Sequence, residues 1–427
     1  RLLLLILLTY VLVGSLYAAL TPPWQVPDEP AHYNYIRSLA TGGGLPVLEP
    51  GDYDQARLSR LTHLHFPPEE SIASIEYEDH QPPLYYLLAT PLYLLFDGAL
   101  TPLRLLSVAL GLGVLLTAYG AVRAVCPERP GLALMTTAFI AFIPQHVAML
   151  AGVENDALAE LVVGGTLWGL LRYVGGGEAA SPWPIALLLT AALLTKTTTY
   201  FLLPLALLAA WLGGGPPSRR VRRAAQMLIP PLLLAAPWFI RNGLVYGWHD
   251  PLGLARHNAV VVGQPRSAAW VAEYGWRYLL VNLARTTFHS FWGQFGWMEL
   301  VLPARLYRGF TLLTLMAGGG FLVWLASRQR PRLTPAQRRQ TLLLVTTAGF
   351  TLAAFLGYNL TFVQHQGRYL YPALIPLGLA ASLGLDWWLG LLPRRWRLPA
   401  AGLLFGGLAA LDVYCLFRFI VPLLTPR

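Results

Sequence analysis

Runs of about twenty apolar residues recur from one end of the chain to the other, and no other feature limits its fold so tightly. The first, Leu2 to Leu20, contains no charged residue. A hydrocarbon layer roughly 30 Å thick takes about 20 such residues per helical crossing, and the backbone groups inside it must bond within the crossing segment. The runs are continuous and show no sustained period of two, which argues for helices and against a membrane barrel. With 427 residues, 55% hydrophobic and 12% charged, the chain has too little polar surface for a soluble protein of its length. The expected fold class is an all-α polytopic membrane protein built as a single module over 1–427.

About eleven spans are expected, near 2–20, 102–122, 132–150, 157–173, 183–196, 199–213, 225–245, 306–326, 341–358, 370–391 and 399–422. Alternate loops carry arginine clusters: Arg123 and Arg129; Arg219, Arg220, Arg222 and Arg223; Arg328, Arg330, Arg332, Arg338 and Arg339; and Arg394, Arg395 and Arg397. The positive-inside rule assigns these to the cytoplasm and explains a formal charge of +10 without nucleic acid. The opposite loops collect the acids, among them Asp28, Glu29, Asp52, Asp54, Glu76, Glu78, Asp79, Glu154 and Asp156. A multi-pass plasma membrane protein with an acidic extracytoplasmic face is the resulting expectation.

Two large outer loops are expected, 21–100 and 246–304. In the first, Asp28 or Glu29 can cap a helix begun by Pro30, whose apolar stripe is Tyr33, Ile36, Leu39 and Ala40. A second amphipathic piece covers Asp54 to Leu64. Leu84 to Phe96 is too short to cross and would invert every later arginine cluster if it did, so it reads as a third lateral helix in the interface. The chain ends at Arg427 soon after its last span, and no soluble C-terminal domain is expected. Cys126 and Cys415 are too far apart in context to form a ligand or disulfide framework and read as packing residues.

Ionisable groups beside lipid need a partner or a polar cavity, so the acidic pair Asp28-Glu29 against the first span reads as chemistry held at a membrane. Lys196 is the only lysine of the chain and falls at an outer-face turn between two short spans, where no orientation rule asks for a cation. Arg241 and Arg368 also stand outside the cytoplasmic clusters, each at the outer end of a span. Together these cations would form an anion site, to which Gln81 and Tyr369 could add donors. Plainer roles exist for each: helix caps for Asp28, Asn155 and Asp156, snorkelling for Lys196, an interfacial anchor for Arg368 and Tyr369. Trp292 and Trp297 could stack on a sugar, although most tryptophans here read as interfacial.

Five elements in order resemble the GT-C superfamily of integral-membrane glycosyltransferases, which includes protein O-mannosyltransferases and the aminoarabinose transferases of lipid A. They are Asp28-Glu29, then His80-Gln81-Pro82-Pro83-Leu84-Tyr85-Tyr86, then Asn155-Asp156, then Leu194-Thr195-Lys196, and last Gln366-Gly367-Arg368-Tyr369-Leu370-Tyr371-Pro372. His80-Gln81 stands where some relatives carry Glu-Lys, so Lys196 or Arg368 would supply the phosphate contact here. The resemblance implies transfer of a sugar from a polyprenyl-phosphate donor to an acceptor on the outer side, the acceptor being a protein, a lipid or a glycan. A hydroxyl acceptor needs a base, for which Asp28 is the first choice and Glu29 the second, with Asp156 a further catalytic candidate. His80, Gln81, Asn155, Lys196, Arg241, Arg368 and Tyr369 are the candidates for the donor phosphate and substrate, since a leaving phosphate needs positive charge rather than an acid. A divalent metal would find suitable ligand types in Asp28, His80, Asp156 and His257, although no close spacing demands one. Two other classes compete: a transporter or flippase of lipid-linked saccharides, and a polymerase or ligase of surface polysaccharide. Neither repeated halves nor midplane charges favour the transporter, apart from Asp412 in the last span.

Overall fold

The computed structural model describes residues 1–176, 181–327 and 332–426; Arg328 and Arg330 of the third arginine cluster lie outside the described residues. Almost all of the described secondary structure is helical. The first span is α1 (Leu2–Leu20), and the outer loop that follows contributes α2 (Glu29–Ala40), α3 (Gln55–His63) and α4 (Leu84–Leu95). Then come α5 (Leu100–Val125), α6 (Pro130–Ala141), α7 (Pro144–Leu150), α8 (Asp156–Gly176), α9 (Trp183–Leu193), α10 (Leu202–Leu212) and α11 (Pro217–Tyr246). The second loop holds α12 (Leu254–Val260) and the start of α13 (Ser267–Trp292), and the chain closes with α14 (Ala304–Ala326), α15 (Pro335–Thr361), α16 (Leu374–Gly390), α17 (Arg394–Cys415) and α18 (Val421–Leu424). Among the described residues, the exceptions to an all-α fold are a two-residue ladder, Gln294–Phe295 against Leu300–Val301, and an isolated bridge between Arg266 and Phe362.

Among the described residues, eight helices are long and apolar enough to cross a membrane, or nine if the α6–α7 pair counts as one. Three of the expected spans therefore take a different form. That expected at 132–150 is broken by 70° between α6 and α7. Pro144 is the cause, since it lacks an N–H and crowds the preceding turn. Those expected at 183–196 and 199–213 are helices of 11 residues each. At 1.5 Å per residue each is about 16 Å long, half a hydrocarbon thickness.

Packing rests on small residues where helices meet. α5 lies along α8, and α14 along α16. A Cβ on Gly384 would overlap the Ala317 carbonyl oxygen, so these two helices touch backbone to backbone. α4 buries Tyr85, Tyr86 and Ala89 and leaves Leu87, Leu88, Leu94 and Leu95 exposed, the two-faced pattern of a helix lying between protein and lipid.

One buried ion pair fixes the start of the first loop. Arg104 of α5 donates from Nε and Nη2 to the two Glu29 oxygens, each at 2.7 Å, and from Nη1 and Nη2 to the carbonyls of Ala18, Thr21 and Pro22. All five guanidinium hydrogens are used, and the pair is 2% and 0% exposed. Val153 N–H and Trp24 N–H complete the Glu29 carboxylate. Glu29 thus ties α1, α2, α5 and the chain before α8 together.

Candidate active site

Asp28 and Glu29 are neighbours with opposite destinations. Asp28 takes φ +66° ahead of α2, a left-handed conformation costing an ordinary residue about 1–2 kcal/mol and an Asp somewhat less. Its side chain does not cap the helix. Instead Oδ1 accepts from the Tyr77 hydroxyl at 2.7 Å and Oδ2 from Arg368 Nη2 at 2.5 Å. Burial pulls the Asp28 carboxyl upward, but the Arg368 charge and the bonds from Arg368 and Tyr77 prevail and hold it at about 2.

Arg368 reaches that point from a short 3₁₀ segment, Gly367–Ala373, between α15 and α16. The segment lies flush on α13: Gly367 N–H donates to Ser290 Oγ at 2.7 Å, and a Cβ at Gly367 would overlap the Phe291 backbone. Arg368 is 8% exposed, and its remaining bonds run from Nε to Gln366 at 2.7 Å and from Nη1 to Glu154 at 3.2 Å. Glu154 was not among the sequence candidates. Burial drives its carboxyl upward against the pull of Arg368. Lys196 follows α9 in extended backbone, and its Nζ meets Asp156 Oδ1, at the first residue of α8, at 2.5 Å.

Both ion pairs face one cavity of about 540 Å³. Asp28, His32, Glu78, His80, Gln81, Asp156, Lys196, Arg368 and Tyr369 are among its polar lining residues, and Val163, Phe201, Leu254, Phe355 and Phe362 among its apolar ones. Glu160, one turn along α8 from Asp156, also lines it and lies 2.7 Å from His146 Nε2. Glu78, absent from the sequence candidates, has Oε2 accepting from Gln81 Nε2 at 2.8 Å. Burial, then the charge of Asp28, pushes its carboxyl up to about 7. Glu78 stands in an acidic stretch, Glu76 to Asp79, just before His80, and that clustering was the signal available.

The imidazoles are kept neutral. Burial, then Lys196, lowers His32 to about 3, and burial, then His257, takes His80 well below its ordinary value. His80 and His257 sit with ring centres 4.6 Å apart. Asp28, His80, Asp156 and His257 all line the cavity, yet among the described residues no group of three or more His, Cys, Asp or Glu is arranged to hold a metal ion.

Other sequence candidates lie elsewhere. Glu29 is not a cavity carboxylate, because Arg104 consumes it. Arg241 donates to the Leu45 carbonyl at 3.0 Å and to Asn242 and packs over Trp238 and Tyr246, away from the cavity. Asn155 stands behind the wall, with Nδ2 3.5 Å from Gln81 Oε1 and 3.4 Å from the Thr195 carbonyl. Trp292 stacks on Phe310 at 4.8 Å, and Trp297 stacks on Phe66 and donates to the Trp24 carbonyl. Neither tryptophan lines the charged cavity. Trp292 instead faces a second, apolar cavity of about 520 Å³ among α13, α14, α15 and α16, which shares Phe355 with the first.

Residues 80–240 match the family of dolichyl-phosphate-mannose-protein mannosyltransferases. ArnT from Cupriavidus metallidurans, solved bound to undecaprenyl phosphate, matches over 99% of this chain and 73% of its own, at 15% identity and a TM-score of 0.52. The oligosaccharyltransferase of Archaeoglobus fulgidus, tethered to an acceptor peptide containing an NVT sequon, matches over 97% of this chain at 14% identity and a TM-score of 0.51. The archaeal oligosaccharyltransferase AglB from Archaeoglobus fulgidus, in complex with an inhibitory peptide and a dolichol-phosphate, gives a TM-score of 0.53 at 14% identity. This chain spans 54% and 55% of the chain in those two oligosaccharyltransferase structures. No curated protein sequence matches it.

Proposed function

We propose that this GT-C membrane glycosyltransferase draws its sugar from a polyprenyl-phosphate carrier and passes it, with inversion, to an acceptor on the extracytoplasmic side. One observation carries the reading: Lys196 and Arg368, from distant parts of the chain, line one cavity together with apolar side chains such as Val163, Phe201 and Phe355. Such a cavity suits a phosphate joined to a hydrocarbon chain, with the apolar cavity beyond Phe355 available to more of that chain. Fixed cations stabilise the charge that grows on the phosphate as the glycosidic bond breaks, the largest single contribution available to such a site.

Each cation is held by a carboxylate of the protein until the donor arrives. Lys196 keeps two further N–H donors for a phosphate, and Arg368 has hydrogens on both terminal nitrogens beyond those it spends on Asp28 and Glu154. A cavity carboxylate takes the acceptor proton. Asp28 can serve only once a phosphate has drawn Arg368 away from it.

The test is reconstitution in liposomes with the polyprenyl-phosphate sugars extracted from the source membranes. Wild type should consume a lipid-linked sugar and release polyprenyl phosphate, and Lys196→Ala should lose most of that turnover together with affinity for undecaprenyl phosphate. Movement of the lipid between leaflets without consumption would replace the transferase by a transporter.

A further inference from the structure

We infer that Glu160 forms a subsite for the donor's sugar, accepting a hydrogen bond from one of its hydroxyls. The inference rests on the transferase reading for its ligand. Glu160 lines the charged cavity one turn along α8 from Asp156, and its one described hydrogen bond runs to His146.

What holds Glu160 starts in the break between α6 and α7. Pro144 has no N–H to offer the Ile140 carbonyl four residues earlier. His146 supplies a donor instead, with Nδ1 2.9 Å from that oxygen. A carbonyl only accepts, so Nδ1 carries the hydrogen and Nε2 is left for Glu160 Oε2, 2.7 Å away. One proton bridges Nε2 and Oε2, and whichever of the two keeps it, the pair is neutral and Oε1 remains an acceptor. Tyr371, from the segment that carries Arg368, packs edge-on against the imidazole with ring centres 5.0 Å apart.

This anchoring separates Glu160 from Asp28 and Asp156. A donor phosphate competes for Lys196 and Arg368, which line the cavity, and so frees their two carboxylates. It cannot reach His146, which is fully buried, does not line the cavity and stays on the Ile140 carbonyl. Glu160 therefore keeps its place when the ligand arrives, which suits recognition. Its Oε1 accepts from no described residue, and its side chain is 7% exposed.

Residues four apart on a helix share a face and stand about 6 Å apart along the axis. Asp156 is in contact with Lys196, so Glu160 lies about one turn beyond a phosphate cation, a gap that a single sugar ring can bridge. The next lining residue on that face of α8 is Val163. Hydrocarbon has no hydrogen to donate to Oε1, and a polar atom covered by a ligand without a partner costs affinity. A sugar hydroxyl donates, so the sugar ring rather than the isoprenoid chain belongs against Glu160.

The experiment measures equilibrium displacement of labelled undecaprenyl phosphate from the reconstituted full chain, without acceptor. The competitors are unlabelled undecaprenyl phosphate and the polyprenyl-phosphate sugars extracted from the source membranes. Wild type, Glu160→Ala, Glu160→Gln and Glu160→Asp are compared. E160A should need about five- to a hundredfold more of the sugar-bearing lipids, the cost of a sugar hydroxyl left without a partner, while undecaprenyl phosphate stays within about threefold of wild type. E160Q should recover most of that loss, since its amide donates to His146 Nε2 and leaves an oxygen in the cavity. Equal weakening of both competitors in E160A, or of neither, would leave Glu160 a structural part only and overturn the subsite. If E160A does not fold, E160D decides, its carboxyl being one methylene short: a loss confined to the sugar-bearing lipids supports the subsite, and equal binding overturns it. The transferase reading is tested apart from this, by whether wild type consumes the sugar-bearing lipids once source membranes are added as acceptor. With no consumption but the same split in binding, that reading falls and the subsite is supported.

Discussion

Arg368 Nη2 lies 2.5 Å from Asp28 Oδ2, closing a contact between residues 340 apart in the chain. The same guanidinium reaches Glu154 and Gln366, so three segments converge on one planar group. A lysine ammonium is a point charge and cannot hold that fork. Arg368→Lys should therefore weaken undecaprenyl phosphate binding by about 1.5–3 kcal/mol, the worth of a charge-assisted bond, and turnover by at least tenfold. Equilibrium binding and initial rates check this, and an R368K enzyme with both unchanged would remove Arg368 from the phosphate site.

The Glu29–Arg104 pair makes a different prediction because it lies outside the cavity. Glu29→Gln leaves a guanidinium buried without its counter-charge, which costs about 3–5 kcal/mol. The thermal midpoint in detergent should fall by several degrees, while the folded protein should bind undecaprenyl phosphate normally and keep its pH profile. The double variant Glu29→Met, Arg104→Met should regain most of the lost stability, since no unpaired charge remains.

Part of this was legible in the residue order, and the limits are physical. Apolar runs locate spans because hydrocarbon thickness admits few alternatives; Lys196 and Arg368 stood out as cations with no topological reason to be there, Asp28 as an acid held beside lipid, and Asp156 through the ordered motifs. The division of labour between Asp28 and Glu29 was not legible, because a single left-handed residue turns adjacent side chains to different sides. Arg104 could have exposed it: a lone arginine early in an apolar helix calls for a buried acid. Arg241 has the right place in the order but finds backbone carbonyls of the first loop, a contact set by tertiary folding alone. Glu154 was passed over because nothing in its spacing separates a cavity acid from a solvated one, and Glu78 because its acidic stretch, the one signal present, reads equally well as a solvated face.

Asp79 offers a pH-dependent prediction. It is 5% exposed, and its Oδ1 has no hydrogen-bond partner among the described residues. Burial, then Glu76 and Asp52, pushes its carboxyl up to about 8 from an ordinary 3.8. The folded chain thus binds this proton more tightly than the unfolded one. Its stabilising contribution is complete below 3.8 and is lost as pH rises through about 8. Asp79→Asn should match wild type in thermal midpoint near pH 4 and exceed it by several degrees at pH 9. Equal midpoints at pH 9 would mean that Asp79 is ionised and solvated in the folded protein.

Gly367 links the helix packing to the site. Its Cβ-less backbone lets the 3₁₀ segment lie against the Phe291 backbone of α13, and the next residue is Arg368. An alanine there has no flexible neighbour to push aside, so the segment itself must lift, at the roughly 1–3 kcal/mol typical of overpacking. Arg368 would move with it, away from Asp28 and Glu154. Gly367→Ala should accordingly lower both the thermal midpoint and undecaprenyl phosphate binding, with turnover falling more than stability alone explains. Gly349→Ala in α15 is the contrast, because nothing lies within 4 Å of its would-be Cβ. In a helix interior that change should be neutral or stabilise by up to about 1 kcal/mol and leave turnover intact. Comparable losses in both variants would show that glycine replacement harms the fold in general and that the Gly367 contact has no special part in holding Arg368.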